Sequence, residues 1–279
     1  MSSNPILAMK NVLTVTFLCL FTGASAQEMF VFSEPASNIP SRSLEVKQSA
    51  KLQDDMHTGH FQQRHTTELM FGLGKDWMLH LSGTFSNMYS PQLQWESQKA
   101  YIKYRFLAKD GVYSHFRMAA FIEGAYSRNV SSFDELNIDG DQSGMQAGII
   151  VTQLLHKLAI SSTIGLVESL QQGRWDKSVP KIYPYEALNY SFSAGYLLFP
   201  KEYADYQQLN VNLYAELIGQ NSLDMSKHFT DLAPGLQFIF HSQAKLSAGY
   251  RFQLNGNMNR MSNEGFQISF DWLFLNVLK

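Results

Sequence analysis

The sequence predicts an all-β fold: a transmembrane antiparallel β-barrel of about twelve strands over 43–279. Three observations carry this expectation. About twelve segments alternate apolar and polar residues with a period of two. The links between them are short and long in turn, with an even strand count. Aromatics make up 13% of the chain and charged residues only 16%, a balance rich in aromatics and poor in charge for a water-soluble domain. After residue 27 no apolar run reaches the length of a membrane-spanning helix.

The chain opens with a signal-peptide pattern over 1–26. Lys10 supplies the positive region, Val12 to Phe21 a short apolar region, and Ala24-Ser25-Ala26 a small-residue cleavage site. Cys19 is the sole cysteine; Phe17-Leu18 before it are bulkier than a lipoprotein signal normally carries. Cleavage after Ala26 leaves an exported chain without disulfides or thiol chemistry. Residues 27–42, with Pro35, Pro40 and several small polar residues, read as an irregular periplasmic tail. The formal net charge is −2 with no Lys/Arg cluster, which argues against a nucleic-acid partner.

The strands follow in order. Residues 43–52 and 62–73 flank the polar link "QDDMHTGHFQ", and "GKD" leads into 76–88, where Trp77, Leu79, Leu81 and Phe85 oppose Met78, His80, Ser82 and Thr84. In 97–107, Ala100, Ile102, Tyr104 and Phe106 oppose Lys99, Lys103 and Arg105; in 114–127, Phe116, Met118, Ala120 and Ile122 oppose Arg117 and Glu123. After the long link "RNVSSFDELNIDGDQ", strands 143–155 and 157–169 meet across His156-Lys157. The long "QQGRWDKSVPKIYPY" leads to 186–198, and "FPKEYADYQ" to 208–219, where Leu209, Val211, Leu213, Ala215 and Leu217 oppose Asn210, Asn212, Tyr214 and Glu216. Strands 230–241 and 244–255 turn at Ser242-Gln243, with Ser247, Gly249, Arg251 and Gln253 on the polar parity of the second. The last strand, 264–275, sets Phe266, Ile268, Phe270, Trp272 and Phe274 against Gln267, Ser269 and Asp271.

A basic side chain on the lipid face costs roughly 2–4 kcal/mol at mid-membrane, so the charged parity has to point inward. The expected lumen-facing charges are Lys103, Arg105, Arg117, Glu123, Glu216, Arg251 and Asp271. Two readings of them stand. One is a salt-bridged interior that fills or stiffens the barrel; the other is a charged constriction that selects solutes.

Other candidate chemistry is thinner. Met56, His57, His60 and His65 offer thioether and imidazole ligands for copper or zinc, but the loop fixes no geometry, and solvated histidines account for them better. "ELNIDGD", Glu135 to Asp141, resembles half a calcium loop, yet Gln146 stands where the bidentate acid belongs; an acidic outer loop is the better account. His80 and Ser82 share a face, as a base and nucleophile might on a lipid-hydrolysing barrel, but they point to the lumen and no orienting group is identifiable. No cofactor motif is present and none is expected.

"FVFSEPASNIPSRSL", "YIKYRF", "SHFRMAAF", "LLHKLAIS", "LFPKEY" and "LNVNLYAELIGQ" together resemble an uncharacterised family of outer-membrane β-barrel proteins typical of Bacteroidota. The resemblance runs from about Met29 to the C-terminus and implies a single barrel in the bacterial outer membrane, with no functional residues to carry over. The expected function is a porin-like channel or transport-associated protein for small solutes. A filled structural or binding barrel whose outer loops engage a partner is the alternative, and a lipid hydrolase is a distant third. The expected partners are outer-membrane lipids, the barrel-assembly machinery and small solutes.

Overall fold

The computed structural model describes residues 30–130, 132–170, 182–200 and 208–278. The leader expected at 1–26 lies outside them, as do parts of the links after 170 and 200.

Twelve strands form the wall: β1 (Leu44–Asp54), β2 (Phe61–Gly72), β3 (Trp77–Ser86), β4 (Gln94–Asp110), β5 (Ser114–Ser127), β6 (Gly144–Leu155), β7 (Leu158–Ser169), β8 (Glu186–Phe199), β9 (Asn210–Ser222), β10 (His228–Phe240), β11 (Ala244–Gly256) and β12 (Glu264–Phe274). Each pairs antiparallel with its sequence neighbours, and β12 pairs with β1 to close the barrel, Leu44 lying opposite Phe274. Closure leaves no open sheet edge, so every strand finds backbone partners on both sides.

The alternation read from the sequence is the inside–outside alternation of the wall. On β12, Phe266, Ile268, Phe270, Trp272 and Phe274 are all exposed outward, whereas Ser269 and Asp271 are buried. Exposed aromatics gather near both ends. Trp77 stacks on Tyr104 at the short-turn end, with ring centroids 4.5 Å apart. Trp95 stacks on Tyr126 at the other end, 6.2 Å apart. Two aromatic girdles around an apolar band are the outer surface of a barrel that sits in lipid.

The short turns cluster at one end. The two-residue link between β6 and β7 is made possible by His156 at φ 53°, and the β10–β11 turn by His241 and Ser242 at φ 51° and 56°. β4 runs to Asp110, which shortens the expected link "AKDGVYS" to a tight hairpin closed by Gly111 N–H donating to Ser114 C=O at 2.7 Å.

Two expectations change at the two ends of the barrel. The described part of the segment expected as an irregular periplasmic tail, residues 30–42, lies inside the barrel: Phe30, Val31, Ala36 and Ile39 are buried among wall side chains. Residues 135–141, expected as an acidic outer loop, fold inward, burying Leu136 and Ile138 against Val167 and Ala187. The physical reason is the same in both cases. Each segment brings apolar side chains that leave water, and polar groups that match hydrogen-bonding partners on the wall.

Candidate functional site

The N-terminal segment enters from the short-turn end and is held by wall residues that would otherwise be buried charges. Glu216 on β9 accepts the backbone N–H of Val31 at 2.9 Å and of Phe32 at 3.0 Å. Lys103 on β4, fully buried, spends its ammonium on Glu34 Oε1 (2.6 Å), Pro35 C=O (2.8 Å) and Ser37 C=O (2.7 Å). Arg117 on β5 donates to Ser37 Oγ and to Asp110. Ala36 N–H donates to Thr152 Oγ1 on β6, and Gln267 on β12 donates to Val31 C=O. The segment therefore touches strands around the whole wall.

The inward loop closes the other end through ion pairs. Arg64 on β2 makes a two-pronged contact with Glu96 (2.6 and 3.0 Å) and a third with Asp141. Lys99 on β4 lies between Glu123 (3.2 Å) and Asp139. Arg260, from the β11–β12 loop, binds Glu135 and Asp231 at 2.8 and 2.9 Å, and Arg251 binds the same two acids. The Phe229 ring lies against both guanidiniums, at 4.0 Å from Arg260 and 5.3 Å from Arg251. Burial pushes the Glu135 carboxyl up, but the Arg260 and Arg251 guanidiniums outweigh it and hold Glu135 at about 2. The Lys99 ammonium pulls Asp139 down despite burial. Buried pairs of this kind fix geometry more than they add net stability.

Between the two inserted segments lies a chamber of about 400 Å³. Val31 to Glu34 form one end of it and Glu135 to Asp139 the other; the wall contributes Ser49, Thr66, Ser82, Tyr101, Asn189 and Tyr190 among others. Small-molecule sites commonly fall in the range of roughly 300–1,000 Å³. The chamber is therefore large enough for a small solute and too small for a polymer.

The seven charges expected to face the lumen do not form one ring. Lys103, Arg117 and Glu216 hold the N-terminal segment. Glu123, through Lys99, and Arg251 hold the inward loop. Arg105 sits at the short-turn rim, donating to Lys75 C=O and Asp76. Asp271 lies opposite Lys47 and Lys245 in the strand register. The buried ion-pair partners Arg64, Glu96, Asp231 and Arg260, and the half-buried Glu34, are not singled out by the sequence. A usable signal existed: inward cations require acids, and the "FSEPASN" and "FDELNIDGD" segments carry them.

The loop histidines do not converge. His57 Nε2 lies 3.0 Å from Arg260 C=O and its ring stacks on Phe133, His65 contacts Gln63 Oε1, and His60 is solvent-exposed. Among the described residues no group of three or more potential ligands comes together. His80 Nδ1 pairs with Glu68 at 3.0 Å, and its ring packs on Tyr101. No hydrogen bond joins His80 to Ser82 among the described contacts, so the geometry sets up no activated nucleophile there. The acids of "ELNIDGD" are engaged by Arg260, Lys99 and Arg64 rather than converging on one point.

No family model and no curated protein matches this chain. Solved structures do. The NanC porin aligns with a TM-score of 0.52 at 11% identity, over 82% of this chain and 98% of its own. An outer membrane channel from Pseudomonas putida F1 aligns at 0.49 and 11%, over 88% and 100%, and the KdgM porin at 0.46 and 8%, over 83% and 99%. The likeness is one of fold. The first of these shares its overall fold with the closed antiparallel barrel described above, which makes that barrel porin-like in architecture.

Proposed function

We propose that this chain is a bacterial outer-membrane channel for small polar solutes, narrowed from both ends by segments of its own sequence. The observation that carries the reading is the space kept open between the two inserted segments. A purely structural barrel gains nothing from a chamber of about 400 Å³ walled by hydroxyls, amides and charges. Outside, the apolar band and its two aromatic girdles support a lipid setting. The porin-like fold is consistent with both.

Mechanistically, the inserted segments set the size limit and the paired charges set the field that a solute crosses. Passage is passive and needs no catalytic group, so we do not read the chain as an enzyme. The closing of both ends favours one second reading, a binding barrel that holds a solute without passing it. Planar-bilayer recording separates the two: discrete conductance steps support the channel, and their absence over repeated reconstitutions supports the binding barrel.

A further inference from the structure

The outward face of the wall is not uniform. On β12 its side chains are Phe266, Ile268, Phe270, Trp272 and Phe274, every one apolar. The next two strands round the wall differ: Gln48 on β1, and Gln63, His65 and Thr67 on β2, fall on the outward parity. Gln48 lies opposite Phe270 on one side and Thr67 on the other, and the row continues through Gly83 on β3 to an exposed Gln98 on β4. Gln48 and Thr67 are exposed and lie well inside the band. Leu44 and Val46 point outward on one side of Gln48 and Ala50 and Leu52 on the other, so the short-turn end of β1 is four residues away, roughly 13 Å of strand.

Away from the rims, the other outward polar side chains find partners on the wall itself. Ser162 donates to Ser191 C=O at 3.1 Å, Tyr190 and Thr230 meet hydroxyl to hydroxyl at 2.9 Å, and the Gln153 amide donates to His115 C=O at 3.2 Å. The β1–β4 patch closes only in part. Thr67 Oγ1 donates to Gln48 Oε1 at 2.6 Å, and His65 Nε2 lies 3.1 Å from Gln63 Oε1. Among the described residues, the side-chain N–H groups of Gln48 and Gln63, and the whole carboxamide of Gln98, have no protein partner. Hydrocarbon supplies none, and a polar group taken out of water unpaired is costly.

A protein surface supplies partners, and the chemistry of the patch selects which. It holds free donors on three carboxamides and free acceptors on Gln98 Oε1 and the Thr67 hydroxyl oxygen, with no carboxylate, ammonium or guanidinium among them. A second copy related by a two-fold axis sets donors against acceptors in both directions and brings no like charges together. There is room for it as well. A side-chain carbon at Gly83, between Thr67 and Gln98, would meet nothing nearer than Ser97 C=O at 3.9 Å. We infer that the lipid face of β1–β4 is a dimer interface, where two copies of this chain meet in the plane of the membrane and hydrogen-bond through Gln48, Thr67 and Gln98. The inference goes beyond the channel reading: it rests on the lipid setting of the wall and not on the chamber.

Sedimentation equilibrium of the purified full chain in detergent, over a rising protein-to-detergent ratio, tests it. The wild type is expected to pass from monomer to dimer. Gln48→Leu with Gln98→Leu weakens that association at least tenfold, whereas Ile164→Val, on the outward face of β7, leaves it unchanged. Thermal unfolding at the lowest ratio, where all three are monomers, shows the double variant folded, with a midpoint at or above that of the wild type. A short bismaleimide is expected to join Thr67→Cys chains into covalent dimers. It joins Ile164→Cys chains no more than the wild type, whose sole cysteine is Cys19. Monomers at every ratio, unchanged association in the double variant, or equal cross-linking through Ile164→Cys overturns the inference. Monomers that conduct overturn this inference alone, and dimers that never conduct overturn the channel reading alone.

Discussion

The Lys103 ammonium lies 2.6 Å from the Glu34 carboxylate, joining the middle of strand β4 to a segment 69 residues earlier in the chain. With the Pro35 and Ser37 carbonyls it uses all three ammonium protons on one stretch of backbone. This contact turns the N-terminal segment from a tail into part of the barrel interior.

Lys103→Met leaves Glu34 without its main counter-charge and the Pro35 and Ser37 carbonyls without their shared donor. We expect a loss of roughly 3 kcal/mol, the usual range for breaking one side of a buried pair. The double variant Lys103→Met with Glu34→Gln recovers a large part of it, because no charge is then left unpaired. Thermal unfolding followed by tryptophan fluorescence in detergent reads both effects.

The segment's position is testable by cross-linking. Ser33 Oγ and Ser193 Oγ are 2.8 Å apart, close enough for a pair of cysteines to bridge after modest adjustment. Ser33→Cys with Ser193→Cys is expected to oxidise readily to an intramolecular disulfide, seen as a mobility shift that reductant reverses. A pair that stays reduced under oxidising conditions places the segment elsewhere.

The inward loop carries a pH signature through Glu135. Its carboxyl is held at about 2, below an ordinary 4.5, after the Arg260 and Arg251 charges outweigh the cost of burial. A carboxyl depressed on folding stabilises the folded state fully above its unfolded value and loses that contribution as pH falls through the folded value. Docking of residues 132–143 is therefore expected to hold at pH 5 and to weaken between about 4.5 and 2. The contribution lost is on the order of 3 kcal/mol. Labelling of an Asn137→Cys variant across this range reads the release, and Glu135→Gln removes the share that Glu135 carries, leaving that of Asp139 on Lys99.

The two faces of β12 should respond in opposite ways. Ile268 faces outward near the middle of the strand, so Ile268→Arg is expected to cost roughly 2–4 kcal/mol, against at most about 1 kcal/mol for Ile268→Val. Urea titration of folding into lipid vesicles checks the pair; similar tolerance of both means that this face does not meet lipid.

The wall was legible because a period of two is enforced at every position by lipid on one side and polar interior on the other. Where that period is interrupted, legibility fails. The irregularity opposite Thr84 and Phe85 turns both Glu96 and Ser97 inward, so parity alone does not reveal Glu96 as the partner of Arg64. The inserted segments were not legible for a different reason. Val31 meets Glu216 across 185 residues and Leu136 meets Gln220 across 84, and neither segment has a repeating pattern that announces its partner. Prolines and small polar residues at 33–41 describe an irregular path equally well inside or outside a barrel. Lys103 and Arg251 meet Glu34 and Glu135, which lie in segments whose sequence reads as solvent-exposed.

The most direct test of the account compares planar-bilayer conductance of the wild-type chain with a variant lacking residues 30–39. The account predicts small discrete steps for the wild type, and larger steps once the N-terminal segment no longer narrows the lumen. Silence from both proteins over repeated reconstitutions, or identical steps from both, contradicts it.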